Sequence, residues 1–224
     1  MNLDLMLRNL NIKTYHYPSE IRKYVCDDAY EYYLIYLTRD NIDNIDKYPN
    51  IKKHLLPYKP IMDQRRETTN GSNKWFHLHW PRKESVFSSE KIIYPQMCNV
   101  PTFAYSDNIY FVNMSANIIY KTNSQVDLRV LTAILNSTLY RFWLQNKAKK
   151  RGINIDISVA VIDKLPINLS ILSDKTLKDL TNALYEKLSD RVEKTSVEKS
   201  INTRLYELYG LTEEEIAVVE ATIK

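Results

Sequence analysis

The sequence predicts an α+β fold, in which a mixed or antiparallel β-sheet domain with packed helices is followed by a C-terminal helical segment. Short β-type runs, broken by proline and asparagine, extend from Trp75 to Tyr120. Apolar residues at three- and four-residue steps between Asp127 and Asn146 indicate a helix. After about residue 170, charged residues follow helical patterns. We therefore expect one domain over residues 1–170 and a helical segment over residues 171–224.

The N-terminal part of the chain is predicted to contain a short helix, a strand and a second helix. Leucines within residues 1–18 fit a short helix that a proline ends. The stretch Tyr30–Leu37 is rich in aromatic and branched residues and predicts a strand. Pro49 fits the first turn of a helix, which Pro57 and Pro60 then keep short or kinked.

The middle of the chain is predicted to be mainly β-structure. Asn70-Gly71 marks the tip of a hairpin-like polar stretch from Arg65 to Lys74. Trp75 and Trp80 would lie on opposite faces of a regular strand, and we interpret both as core residues. The predicted strands after the hairpin are Trp75–Trp80, Lys91–Tyr94, Thr102–Tyr105 and Ile109–Val112.

The remaining elements are predicted to be mostly helical. Asp127–Asn146 is expected to form one continuous helix, with a basic cluster after it and Gly152 as the helix stop. Ile153–Leu165 is a strand-like run that a proline closes. Further helices are predicted over Ser173–Lys194, over Ser196–Tyr209 with Gly210 as its C-cap, and from Thr212 onwards with glutamates in the first turn.

The composition is that of a folded and mildly basic protein. The 224 residues are 44% hydrophobic and 11% aromatic, which provides a core and excludes a wholly disordered chain. The net charge of +4 and the pI of about 8.8 indicate a mild preference for polyanions such as nucleic acids. Because no run approaches the ~20 apolar residues that cross a bilayer, we expect a soluble, cytoplasmic protein without a membrane partner.

The sequence lacks the motifs of a catalytic or cofactor-binding site. Three scattered glycines cannot form the glycine cluster that brings backbone amides close to a methyl-donor cofactor. No Pro-Pro pair is present, as adenine methyltransferases require, and no Asp/Glu-x-Lys triplet of a nuclease metal site. His77 and His79 could form a metal pair on a strand, but no third ligand accompanies them, and Cys26 and Cys98 are too far apart for a zinc pattern. We therefore predict no catalytic residue, no cofactor and no metal.

Several motifs, in a fixed order, carry a resemblance to a known family. The stretch Trp75–Arg82 is similar to a Trp-Tyr-Glu-Leu-x-Trp-Pro-Arg signature. The other matching stretches are Tyr48–Lys59, Arg65–Glu67, Lys91–Gln96, Phe103–Tyr105, Leu135–Ser137, Ile162–Pro166 and Tyr206–Ile216. Over roughly residues 20–222, the chain resembles the TaqI-like C-terminal specificity domain of type II adenine-specific restriction-modification enzymes.

The resemblance implies a target-recognition module that reads double-stranded DNA and is not catalytic by itself. In full enzymes of this kind a methyltransferase domain precedes the module, so the implied partner is a methyltransferase/endonuclease module in cis or in trans. This chain starts at Met1. A trimmed fragment, a separate specificity subunit and a gene remnant all stay open.

Cationic and amide side chains are the candidate DNA contacts, because lysine and arginine neutralise phosphates and amide or guanidinium groups read base edges. The candidates in and after the predicted hairpin are Arg65, Arg66, Asn73, Lys74, Arg82, Lys83 and Gln96. The candidates for phosphate contact are Lys147, Lys149, Lys150 and Arg151, a cluster that can equally be a solvated helix end.

Two other functions stay open at the level of sequence. In the first, the helices after residue 170 dock a methyltransferase or a second subunit, and contact with DNA is secondary. In the second, the chain is an enzyme whose chemistry is not recognised in its motifs. The DNA sequence that would be read does not follow from the chain.

Overall fold

The computed structural model of the protein describes residues 12–27, 32–121 and 125–221, and it confirms the predicted α+β class. The leucines expected to form an N-terminal helix lie outside the described residues, whereas Ile12–His16 forms a strand. Contacts divide the chain into two compact units. Of the described residues, the first unit contains 12–16 and 32–85, and the second contains 17–27, 86–121 and 125–221.

The strands are short and are distributed over both units. Those expected near Tyr30–Leu37, Lys91–Tyr94, Thr102–Tyr105 and Ile109–Val112 are confirmed, whereas Trp75–Trp80 contains no strand. In chain order the strands are β1 (Ile12–His16), β2 (Tyr24–Val25), β3 (Tyr32–Ile35), β4 (Lys91–Pro95), β5 (Met97–Cys98), β6 (Ala104–Ser106), β7 (Phe111–Val112), β8 (Ala116–Tyr120), β9 (Lys149–Arg151) and β10 (Asn154–Asp156).

Helices account for most of the remaining regular structure. Short 3-10 turns cover Pro18–Glu20, Ile45–Lys47, Leu56–Tyr58 and Leu169–Ser173. The α-helices are α1 (Pro49–Leu55), α2 (Lys59–Met62), α3 (Arg66–Thr69), α4 (Glu84–Ser88), α5 (Leu128–Leu135), α6 (Thr138–Lys147), α7 (Val159–Ile162), α8 (Lys175–Glu186), α9 (Arg191–Tyr209) and α10 (Glu213–Ala221).

The first unit is built on an antiparallel strand pair and a small apolar core. Strands β1 and β3 pair with Ile12 opposite Ile35. Pro49 occupies the first turn of α1, as predicted, and Pro57 and Pro60 each lie in the first turn of a new helical segment. Proline has no backbone N–H and is tolerated at a helix start, so these prolines divide the region into short pieces. The buried core residues are Leu37, Ile42, Ile45, Ile51, Leu55 and Phe76.

The second unit packs helices against a four-stranded mixed sheet. The strand order is β2-β6-β4-β8, in which β2 and β6 run parallel and the other neighbours run antiparallel. The side chains of Ile92 in β4 and Ile134 in α5 are fully buried in the same core as Leu177 in α8 and Leu205 in α9. The boundary predicted near residue 170 therefore falls inside this unit, because the C-terminal helices supply part of its core.

The continuous helix predicted over Asp127–Asn146 is broken into α5 and α6. Asp127 is the N-cap of α5, and its Oδ1 accepts hydrogen bonds from the N–H groups of Arg129 and Val130. Ser137 is the N-cap of α6, and its hydroxyl accepts from the N–H of Tyr140. Apolar spacing continues across the break, so the local pattern did not reveal it.

Asn136, at the break, fixes the two helices to the sheet. Its Oδ1 accepts a hydrogen bond from the N–H of Phe103 at 3.1 Å, and its Nδ2 donates to the Phe103 carbonyl at 2.7 Å. Asn136 is 6% exposed, and Phe103 is fully buried. These bonds satisfy backbone groups that have no access to water.

The predicted ends of the C-terminal helices are partly confirmed. Gly210 adopts a left-handed conformation with φ of 64° and caps α9, as predicted. Thr212 and Glu215 form reciprocal side-chain to backbone bonds at the start of α10, which confirms that start. The helix predicted over Ser173–Lys194 is wrong in its extent, because Asp190 caps a new helix through the N–H groups of Val192 and Glu193.

Lys91 is a cation inside the core of the second unit. Its side chain is fully buried, and its Nζ donates to the carbonyls of Ser89 and Asn108. Burial lowers the pKa of the Lys91 ammonium to about 8, although Cys26 and Asp107 act in the opposite direction. In the unfolded chain a lysine titrates near pH ~10.4.

We expect the contribution of Lys91 to the free energy of unfolding to rise between about pH 8 and pH 10. In that range an unfolded lysine binds more protons than the folded Lys91, so the contribution of this residue to stability increases with pH. Lys91→Met removes this contribution, and chemical denaturation of both proteins at several pH values measures it. Exposed Lys164→Met is the control and should keep the wild-type profile. Identical pH profiles for wild type and Lys91→Met would contradict the assignment.

Candidate nucleic-acid interface

The basic cluster predicted at a helix end forms a β-hairpin. Only Lys147 lies on α6, because the backbone turns to an extended conformation at Ala148. Strands β9 and β10 pair with Arg151 opposite Asn154, which leaves a two-residue turn. Gly152 has φ of +63° in that turn, so it is a turn residue and not the predicted helix stop. Residues 149–156 are called the basic hairpin below.

The strand-like run predicted over Ile153–Leu165 is correspondingly shorter. Only Asn154–Asp156 forms a strand, and the chain continues into α7 at Val159. A buried Ile157 separates the two elements, and its N–H donates to the carbonyl of Gln96 at 2.9 Å. The basic hairpin is thus connected at its base to the residue that precedes β5.

The pairing register of β9 and β10 places the cations of the basic hairpin on different faces. Side chains alternate along a strand, so Lys149 and Arg151 share one face and Lys150 lies on the other. Lys150 is opposite Ile155, which is only 7% exposed and faces the core. Lys149 and Arg151 therefore lie on the solvent face, where Asp156 is directly opposite Lys149.

Gln96 lies beside the basic hairpin, within the same unit. Its N–H donates to the Ser115 carbonyl at 2.9 Å, and its own carbonyl accepts from Ile157. Strand β5, which starts at the next residue, pairs with β10. The structure thus brings Gln96 and the basic hairpin to one small sheet, although they are far apart in sequence.

The polar stretch Arg65–Lys74 contains one short helix and is not a hairpin. Residues Arg66–Thr69 form α3, and only the turn predicted at Asn70-Gly71 is confirmed, with φ of 79° at Gly71. The Arg65 guanidinium donates to the carbonyls of Met62 and Trp75. Backbone carbonyls therefore occupy donors of a residue expected to contact DNA.

Asn73 is also engaged within its own loop. Its Nδ2 donates to the carbonyls of Leu78 and His79 at 3.2 and 3.3 Å. Its N–H donates to the Glu67 carbonyl at 2.7 Å. These bonds shape the segment that follows, so Asn73 and Arg65 position the loop.

The other predicted contacts of this unit have more access to solvent. Arg66 is exposed and forms a 3.5 Å ion pair with Glu67. Lys74 is exposed, and its Nζ donates to the Asp43 carbonyl. Lys83 is exposed as well, whereas Arg82 is half-buried and its carbonyl accepts from the Tyr36 hydroxyl.

The segment predicted as strand Trp75–Trp80 is an irregular loop held by His77. Nδ1 of His77 accepts from the N–H of Lys74 at 3.2 Å, so Nε2 carries the proton and donates to the Ile42 carbonyl at 2.8 Å. His77 is buried and has a structural role, as expected from sequence. His79 instead contacts the Glu67 carboxylate.

The two tryptophans of this loop differ in burial. Trp75 packs against the core of the first unit, in agreement with its interpretation as a core residue. Trp80 is 67% exposed, so its interpretation as a core residue is wrong. The β-type spacing gave a wrong prediction for Trp80, because side-chain hydrogen bonds and not strand pairing determine the conformation of this loop.

Sequence reasoning missed the basic hairpin and the residue at its tip. Ile153 is 83% exposed in the two-residue turn. Two signals were available: a glycine directly after the run of cations and the alternation of polar and apolar residues over Asn154–Ile157. The run of cations before them concealed the strand.

Comparison with protein families identifies the class of the chain. The sequence model of the TaqI-like C-terminal specificity domain matches residues 19–167, which is more than half of the chain. The chain belongs to the TaqI-like C-terminal specificity domain family. None of the described helices is both long and apolar enough to span a bilayer.

A solved structure shares the fold over nearly the whole chain. It is that of the type IIL restriction-modification enzyme MmeI in complex with DNA, with a TM-score of 0.67 and 12% sequence identity. The match covers 95% of this chain and 31% of the MmeI chain. The chain therefore spans about a third of the length of that MmeI chain.

Proposed function

We propose that the chain is the specificity module of a restriction-modification system, which recognises double-stranded DNA by sequence and has no catalytic activity by itself. Membership of a specificity-domain family supports the recognition role. The observation that carries the proposal is the exposed basic hairpin. It presents Lys149 and Arg151 on one solvent face beside Gln96.

The cations of the second unit have the role of phosphate contacts. Lys147, Lys149, Lys150 and Arg151 are all exposed, and their ammonium and guanidinium groups can release counterions from DNA. A two-stranded ribbon is narrow enough to follow a groove while its basic side chains reach the backbone. This arrangement provides affinity without sequence preference.

Sequence preference is assigned to residues beside these cations. Gln96 carries both a donor and an acceptor, which can bind an adenine edge in two places. In the first unit, Arg82 and Lys83 are the base-reading candidates, with Arg66 and Lys74 as phosphate contacts. Arg65 and Asn73 act indirectly, because their side chains hold the loop.

The helices after residue 170 belong to the fold of the proposed module. Leu177, Leu184 and Leu205 are fully buried in the core of the second unit, so these helices contribute to its stability. The same helices also expose Val192 and Val218, so docking of a second subunit is compatible with this fold as well. A methyltransferase/endonuclease module, in cis or in trans, supplies the chemistry in this proposal, and the system acts in the cytoplasm.

Binding of the intact chain to a fluorescent duplex at several salt concentrations tests the proposal. We expect affinity to fall steeply, with a slope of about −3 or steeper in a plot of log affinity against log salt, for three or four phosphate contacts. Fluorescence anisotropy measures this. Absence of binding at low salt, or affinity independent of salt, would refute the proposal.

Selection from a randomised duplex pool tests sequence recognition by the wild-type chain and by a Gln96 variant. We expect the wild type to enrich a defined motif and Gln96→Ala to lose one position of that motif at ~1–3 kcal/mol of discrimination. An enriched pool without any motif would leave only non-specific binding. Binding of S-adenosylmethionine by the chain alone would contradict the non-catalytic role.

A further inference from the structure

The tip of the basic hairpin combines an apolar side chain with flanking polar groups. Ile153 is 83% exposed, and its neighbours across the turn are Arg151 and Asn154. Isolated exposed apolar residues are common on protein surfaces, so exposure alone has no significance. The position is unusual because hairpin turns mostly carry small or polar residues.

Turn geometry does not require an isoleucine at this place. Gly152 supplies the positive φ at the first central position, as a type II′ turn needs. Ile153 has no positive φ and does not belong to the apolar core of its unit. The fold of the hairpin therefore does not account for this side chain.

The reach of the basic hairpin matches the depth of the DNA minor groove, whose width of about 6 Å must open, as it does in a kinked duplex, to admit a two-stranded ribbon. Three residues of a strand span about 10 Å, and the minor groove is about 7.5 Å deep. When Ile153 reaches the floor of the groove, Lys149 is near the level of the phosphates. Arg151, two residues closer to the tip and on the same face, then reaches a phosphate lower on the wall of the opened groove.

We propose that Ile153 is a wedge that inserts between adjacent base pairs from the minor groove and unstacks them. The inference rests on the proposed function and adds a deformation step to it. Apolar wedges of this kind cost unstacking energy and are stabilised by contacts that the bent duplex then makes. The sequence dependence of that cost provides a preference at base pairs that no polar side chain contacts.

Fluorescence of 2-aminopurine tests the wedge, because stacking quenches this base and unstacking relieves the quenching. The probes are A·T-rich duplexes with one 2-aminopurine at successive positions, saturated with the intact protein. We expect a rise at one step with the wild type and with Ile153→Leu, which keeps an apolar tip. Ile153→Ala should bind with about tenfold lower affinity and produce no rise.

Val192→Ala is the matched control, since Val192 is 80% exposed on α9 of the same unit. This variant should retain wild-type affinity and fluorescence. If the wild type binds the duplexes but no position brightens, or if Ile153→Ala brightens the same position, the wedge is overturned while DNA binding stands. If no duplex is bound at all, the proposed function itself fails.

Discussion

Reversing the charges of Lys149 and Arg151 together is expected to weaken binding to all duplexes by about 30-fold or more at ~0.15 M salt. The estimate follows from two lost phosphate contacts, each of which contributes a slope of about 0.9 in the salt dependence. The variant Lys149→Glu/Arg151→Glu should therefore lower that slope by about 2 as well. Anisotropy titrations at several salt concentrations measure both quantities.

The control is a charge reversal of one lysine and one arginine elsewhere in the same unit. Lys175 and Arg191 are exposed residues in the first turns of α8 and α9, where glutamate is favourable for the helix dipole. Lys175→Glu/Arg191→Glu changes the net charge equally and should reduce affinity much less. Equal losses for the two double variants would mean that net charge, and not the basic hairpin, determines binding.

Asn136→Ala is expected to lower the free energy of unfolding by about 3 kcal/mol. The substitution leaves the buried N–H of Phe103 without its hydrogen-bond acceptor and removes a donor from the carbonyls of Phe103 and Thr132. For a chain of this size the midpoint of thermal unfolding should fall by about 6–12 °C. Circular dichroism during heating measures it.

Asn146→Ala provides the comparison with an exposed residue of the same type. Its Nδ2 donates to the Phe142 carbonyl at 2.8 Å on the surface of α6. Water can replace this bond, so a change within about 0.5 kcal/mol is expected. If Asn136→Ala is equally mild, the amide does not join the helices to the sheet as described.

Local patterns predicted the elements whose ends are determined by neighbouring residues. Gly210 and Thr212 were identified correctly because a C-cap and a capping box involve only a few adjacent residues. Strand β4 was identified because its branched residues are continuous and all buried. In each case the residues that determine the element or its end lie within the same short segment.

Distant contacts determine the elements that were predicted incorrectly. The helix break at Asn136 depends on Phe103, which lies 33 residues earlier in the chain. The loop around His77 depends on hydrogen bonds to the carbonyls of Leu37 and Ile42. Neither partner can be identified from periodicity, so an aromatic run looked like a strand and a long apolar pattern looked like one helix.

The candidate DNA contacts were likewise predicted only in part from the sequence. Residue type alone identified the cations, since charge is a property of each side chain. It could not reveal that the Arg65 guanidinium is bonded to backbone carbonyls, or that Lys149 and Arg151 share a face. Strand register and loop hydrogen bonds determine which cations have structural roles and which are accessible to a ligand. Both arise only in the tertiary structure.

The shared core of the second unit has a consequence for the exchange of specificities between related genes. Leu177 and Leu205 pack with Ile92 and Ile134, so the sheet and the C-terminal helices must remain complementary in shape. A recombination crossover near residue 170 would join halves that evolved apart and leave mismatched volumes inside. In the proposed wedge role, substitution of Ile153 alone would change the preference without that mismatch, because this side chain lies outside the core.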